Sequence, residues 1–144
     1  MRSSEMVASL LGGKRTLGTS PRTDRDFVRL VRSGLPWASL GATARRLGVT
    51  EEEALSWTGL PRRTAARRKA EGRLEAEESE RLLRLARVVA VAIDVLGDEV
   101  RALRWMRSAN RGLGGETPLE WLDTDLGTAA VIDELLRLEY GVFS

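Results

Sequence analysis

The sequence predicts an all-α protein of two fused helical modules, the first a helix-turn-helix unit. Three observations carry this. Apolar residues recur at helical spacing from Phe27 to Leu138, cap and stop residues bracket each such run, and no alternating run long enough for a β-strand survives. The charge is also divided. Residues 1–73 hold 15 Lys/Arg against 7 Asp/Glu, and residues 74–144 hold 8 against 14. A basic half suits phosphate, and an acidic half suits a basic protein surface.

Residues 1–23 carry Gly12, Gly13, Gly18 and Pro21 without sustained periodicity, which predicts a flexible N-terminal arm. Its short apolar patch Val7, Leu10 and Leu11 is fit to dock on a neighbour. Asp24 reads as an N-cap for a helix through Phe27, Val28, Leu30 and Val31. Gly34 stops it, and Pro36 opens a second helix with a stripe of Trp37, Leu40, Ala44 and Leu47. Thr50 followed by Glu51, Glu52 and Glu53 has the form of a capping box with acids at the positive end of a helix.

The break Thr58–Leu60 then leads into Pro61–Glu71, with five cations in eight positions and only alanine as apolar filler. This pair of helices is the helix-turn-helix candidate, with Pro61–Glu71 as the recognition helix. Arg62, Arg63, Thr64, Arg67, Arg68 and Lys69 are its expected DNA-binding residues. The arginine fork matches guanine edges and phosphate, and threonine suits phosphate or a thymine methyl. An exposed basic helix that only solubilises the protein has the same composition. At Leu74–Glu80 the charge changes sign, which sets the expected domain boundary: 24–75 for the DNA-binding module and 76–144 for the second.

The second module opens with the strongest helical signal of the chain, Glu77–Leu96, apolar on nearly all sides. Asp98 starts a helix ending at Trp105 and Met106. A glycine loop, Asn110–Glu116, follows. No strand precedes it and Glu116 would repel an anion, so a tight turn that lets Leu113 tuck inward is a better reading than a phosphate cradle. Thr117-Pro118-Leu119-Glu120 is a helix-start signal, and the last helix begins near Thr124 or Asp125 and ends at Gly141. The tail Glu139-Tyr140-Gly141-Val142-Phe143-Ser144 places two aromatic rings at the end of the chain, either folded back on the core or serving an interface.

Cys and His are absent, which excludes disulfides, thiolate or imidazole zinc sites, cysteine nucleophiles and a Ser-His-Asp triad. No catalytic residue, metal site or cofactor is expected. Asp123/Asp125 and Asp133/Glu134 read as helix-end and solvent-face acids. No signal pattern or membrane span is evident, so a cytoplasmic protein is expected. Dimers read two half-sites, so a homodimer on operator DNA is expected.

The stretch from Trp105 and Met106 through Asn110, Leu113, Gly114 and Gly115 to Thr117, Pro118 and Leu119 resembles the signature of the toxin-binding domain in Xre-type antitoxins of the MbcA/ParS/Xre family. Gly127 matches an early glycine of the following helix, and Glu139, Tyr140 and Gly141 match its end. Leu60–Thr64 and Glu77–Ser79 resemble the family's DNA-binding half. Met106 and Trp121 depart from a usual Leu. The resemblance implies an Xre-like helix-turn-helix module fused to a small toxin-binding module, a RES-domain toxin partner that degrades NAD, and repression of the pair's own operon. In such a pair the acidic tail, with its aromatic residues, is expected to contact the toxin through Glu139, Tyr140, Gly141, Val142, Phe143 and Ser144, and Trp105, Asn110, Leu113, Gly114, Gly115, Thr117 and Pro118 are expected to be structural. A stand-alone transcriptional regulator answering a ligand or protein would show the same arginine-rich helix.

Overall fold

The computed structural model describes residues 2–141, and among these the regular elements are all helical. They are α1 (Arg2–Leu10), α2 (Gly13–Leu17), α3 (Asp24–Ser33), α4 (Ala38–Leu47), α5 (Glu51–Thr58), α6 (Arg62–Glu71), α7 (Ala76–Leu96), α8 (Glu99–Met106) and α9 (Asp125–Glu139). Short 3₁₀ turns at Arg111–Leu113 and Leu119–Asp123 lie between α8 and α9. The chain folds as two compact units, residues 1–86 and 87–144.

In the first unit, α4 takes the neighbours on both sides. It packs on α5 and on the pair α1 and α2. Its buried face includes Leu40, Ala44 and Leu47, three of the four residues of the expected stripe, while Trp37 is half-buried. The expected flexible arm is instead helical and anchored. Val7, Leu10 and Leu11 are buried, spaced as one helical face, and α1 lies against α4. The Thr43 hydroxyl, itself buried, donates to the Leu10 carbonyl at 2.8 Å, and the Arg46 guanidinium donates to the Ser9 hydroxyl. Burying a leucine side chain is worth about 1.5–3 kcal/mol, enough for three apolar residues to hold a nine-residue helix that would not form alone. Glycine-rich spacing here marks the turn between two helices rather than loose chain: Gly12 and Gly13 both take positive φ.

The cap of α3 is Thr23 rather than Asp24. Its hydroxyl accepts from the Asp26 N–H while the Asp26 carboxylate accepts from the Thr23 N–H, a complete capping box. Beyond α3, Gly34 approaches the backbone so closely that a Cβ would overlap the Leu74 carbonyl oxygen. There the chain makes a short antiparallel bridge between Pro36 and Arg73, with the Leu74 N–H donating to the Leu35 carbonyl at 2.9 Å.

The division falls inside α7, about ten residues past the expected boundary at 75/76. The first turns of α7 belong to the first unit because two of its side chains bind there. Ser79 is buried and accepts from the Leu35 N–H at 2.8 Å, and Glu78 pairs with Arg68. The reversal of charge that suggested a boundary is bridged by an ion cluster of Arg68 with Glu71, Glu75 and Glu78.

In the second unit the buried residues include Val88, Val89, Ala92, Ala102, Met106, Leu113, Val131 and Leu135. Caps foreseen in the sequence hold its helices: Asp98 accepts from the Arg101 N–H and Thr124 from the Gly127 N–H.

Candidate functional site

Two surfaces stand out, one in each unit. The first is α6. Gly59, at φ 74°, turns the chain between α5 and Pro61, which caps α6. The Thr50 hydroxyl accepts from the Glu53 N–H and starts α5. The turn is braced from α7, where Arg81 donates to the Thr58 carbonyl at 3.1 Å. A second helix pair, α4 and α5, also meets across a three-residue turn, so geometry alone leaves two helices to choose between. Charge decides. The first turn of α5 is Glu51, Glu52 and Glu53, which phosphate would repel, whereas α6 is basic.

Arg62, Arg63, Arg67 and Lys69 are exposed on α6, and Thr64 is half-buried. Arg62 also pairs with Glu52 across the turn. Arg68 departs from the expected DNA-binding set. Its side chain is only 7% exposed and donates from Nε to Glu78 at 2.8 Å, with Glu75 at 3.2 Å and Glu71 at 3.4 Å. One helical turn places it on the side of Ala65, toward the core, and a buried guanidinium demands such partners. The hydrogen bond to Glu78 is the main reason its pKa is raised above the ordinary arginine value. Burial pushes the Glu78 carboxyl up, but the bonds from Arg68 and the Glu75 N–H, with the nearby arginine charges, outweigh it and hold the group below its usual range.

The second surface is built by the loop after α8. Asn110 organises it. Its side chain accepts from the Gly112 N–H at 2.9 Å, its carbonyl accepts from Leu113 and Gly115, and its own N–H donates to Glu116 at 2.9 Å. Gly114 and Gly115 take φ of 68° and 86°, as a loop that turns Leu113 inward requires, and Leu113 is fully buried. Trp105 is only half-buried. Its neighbour Met106 sits fully inside instead. Thr117 and Glu120 bond reciprocally, with Pro118 buried between them. The bonds from Thr117 hold Glu120 below the usual carboxylate range.

This frame carries the start of α9. Gly127 is buried, and a Cβ there would overlap the Trp121 carbonyl oxygen. Leu126, Ala129, Asp133, Leu136 and Tyr140 recur every three or four residues on the outer face of α9. Leu126 is 86% exposed and Tyr140 75%. Beside Leu126 an open pocket of about 350 Å³ is lined by Glu116, Glu120, Trp121 and Asp123. Of the expected toxin contacts, Glu139, Tyr140 and Gly141 are exposed at the end of α9, and Val142, Phe143 and Ser144 lie outside the described residues. Leu126 and Leu136 are not among the expected toxin contacts; only their phase, opposite Val131 and Leu135, marks them as surface. Among the described residues no helix is long and apolar enough to cross a membrane.

Comparison with known families agrees with this division. Residues 26–87 match the antitoxin Xre-like helix-turn-helix domain, and residues 91–141 match the antitoxin Xre/MbcA/ParS C-terminal toxin-binding domain. Among curated proteins, Antitoxin Xre of Yersinia enterocolitica is 42% identical over 98 residues, 67% of this chain and 66% of that one. Antitoxin Xre of Photorhabdus laumondii is 31% identical over 132 residues, 90% of this chain and 89% of that one. A Sphingobium protein named Prs ADP-ribosylating antitoxin is 26% identical over 129 residues, 83% of this chain and 81% of that one. With both domain matches in order and a 31% identical relative covered almost throughout, the chain belongs to the Xre family of antitoxins.

Proposed function

We propose that the protein neutralises a RES-domain toxin that degrades NAD, and that the pair represses its own operon, acting in the cytoplasm. The observation that carries this is the split of surfaces: an exposed cationic helix α6 in one unit and, in the other, an apolar face on α9 surrounded by acids. In this reading Arg63 and Arg67 reach base edges, while Arg62, Thr64 and Lys69 bind phosphate. A homodimer presents two copies of α6 to an operator with two half-sites.

Toxin contact runs along α9 from Leu126 to Tyr140 and continues through the C-terminal tail, with Tyr140 and Phe143 as apolar anchors. Glu139 meets toxin cations. An enzyme that binds NAD lines its cleft with cations and N–H groups, because NAD is an anion. From Glu116 to Ser144 the chain carries seven acids and one arginine, so it is matched in charge to such a cleft. It needs no chemistry of its own to exclude NAD.

Co-expression with a RES-domain protein tests this. A co-purifying complex in which NAD survives is expected, with no NAD loss from the antitoxin alone. NAD loss unchanged by the antitoxin would overturn the reading. A chain truncated after Glu139 tests the tail: full binding and full protection by that chain would remove it from the mechanism.

A further inference from the structure

We propose that α3 is a second DNA contact, a ridge of Arg25, Arg29 and Arg32 that neutralises phosphates beside the segment read by α6; this rests on the DNA-binding role proposed above. The three arginines are exposed and recur at i, i+4 and i+7, so they share one face of α3, while Phe27 is buried on the opposite side. They span about 10 Å along the helix axis, which is the rise of about three phosphates on one strand of a duplex. Arginine suits phosphate because its planar fork offers paired donors.

The ridge is held in fixed relation to α6. The chain leaving α3 is joined to the chain leaving α6 by the Leu74 N–H to Leu35 bond at 2.9 Å and the Trp37 N–H to Gly72 bond at 3.0 Å. The Arg73 guanidinium closes the same junction by donating to the Gly34 carbonyl at 2.6 Å. No loop has to order before both helices meet one duplex, which favours simultaneous contact. Of the two acids flanking Arg25, Asp24 and Asp26, the second caps the start of the helix, although its charge also reaches Arg29. Its carboxylate accepts the N–H groups of Arg22 and Thr23 at 2.9 and 3.2 Å. No other acid follows Asp26 before Glu51.

Phosphate contact is distinguished from mere positive charge by salt. Each neutralised phosphate contributes about 0.9 to the slope of log K against log salt concentration. The probe is a fluorescent duplex of about 30 bp and random sequence, titrated with the full chain across a range of KCl. Arg25→Gln/Arg29→Gln/Arg32→Gln should flatten the slope by about 2.7, and Arg25→Lys/Arg29→Lys/Arg32→Lys should largely retain it. Arg101→Gln/Arg104→Gln/Arg111→Gln removes the same charge from exposed positions in the other unit and should change the slope by less than about 1. Should the triple glutamine variant fail to fold, each single glutamine variant is expected to lower the slope by about 0.9.

An unchanged slope in the glutamine variants of the ridge, or equal flattening in the control triple, overturns the ridge. Arg63→Ala/Arg67→Ala separates the two proposals. If it loses affinity while the glutamine variants of the ridge do not, α6 stands and α3 fails. If the wild-type chain shows no salt-dependent binding to the duplex, both fail.

Discussion

Arg67 and Arg68 are neighbours on one helix, and they compare as two kinds of cation. Arg67 is exposed and Arg68 is buried against Glu78. The second unit makes the corresponding contrast with leucines. Leu135 is fully buried, and the adjacent Leu136 faces outward with Leu126 and Tyr140. In both units residue type fails to separate surface from scaffold, and helical phase succeeds. The units differ in what fixes that phase. In the first it is a side-chain ion cluster between α6 and α7. In the second it is backbone: a loop wrapped on Asn110 and a glycine that lets α9 touch Trp121.

That difference can be broken hardest at Gly127. Its Cβ would overlap a carbonyl oxygen, which is backbone and cannot swing aside as a side chain would. Gly127→Val should destabilise the second unit by about 3 kcal/mol, the upper end for overpacking. It should lose toxin binding while DNA affinity persists. Equilibrium unfolding followed by Trp fluorescence, with DNA titration of the same sample, measures both.

Glu78→Ala is the matching break in the first unit. It leaves Arg68 buried without its nearest acceptor and removes a cap from the Glu75 N–H. A loss of about 1.5–3 kcal/mol is expected, the usual worth of hydrogen bonds to a charged group. Arg67→Ala should stay within about 0.5 kcal/mol of wild type, as exposed substitutions do, while weakening operator binding. The cluster also makes the first unit sensitive to acid. The folded Glu78 carboxyl lies below its ordinary value of 4.5, so the native state binds fewer protons. Its contribution is present above that value and is lost as the pH falls through the lower, folded one. Melting curves from neutral pH down to pH 3 should show the decline below about 4.5, and Glu78→Gln should flatten it.

These pairs also explain what was legible in the sequence. Helix starts were, because a cap is local: Thr50, Asp98, Thr117 and Thr124 each act on the residue three positions on. The glycine loop was, since positive φ has a residue signature. Arg68 was not, because its burial depends on Glu78, ten residues on and in another helix. The first two helices were hidden by their brevity and by Gly12, Gly13 and Gly18, although Val7, Leu10 and Leu11 already had helical spacing. Leu126 and Leu136 were hidden for the opposite reason: the last helix is apolar on two sides, and composition does not say which side the core takes.

A smaller effect is expected at Gly114. Its φ of 68° strains any residue with a side chain, but a Cβ there would meet nothing within 4 Å. Gly114→Ala should therefore cost only the backbone term, about 1 kcal/mol, well short of the collision at Gly127. A loss as large as that of Gly127→Val would show that the loop tolerates no adjustment and is the rigid centre of the unit.

The least effect on stability, and the most informative for function, is expected at Leu126. With 86% of its surface already in water, it contributes little to folding, and Leu126→Ser should unfold within about 0.5 kcal/mol of wild type. An exposed leucine retained beside Trp121 and three carboxylates gains its worth only when a partner covers it. Loss of that cover should appear mainly as faster dissociation of the toxin complex, since apolar anchors at the centre of an interface set the off-rate. Asp123→Asn, on the rim of the same pocket, should instead slow association and weaken its salt dependence. Surface plasmon resonance with the co-purified toxin separates the two rates. If Leu126→Ser leaves dissociation unchanged while removal of the tail after Glu139 accelerates it, the toxin is held by the tail alone and the outer face of α9 is bystander surface.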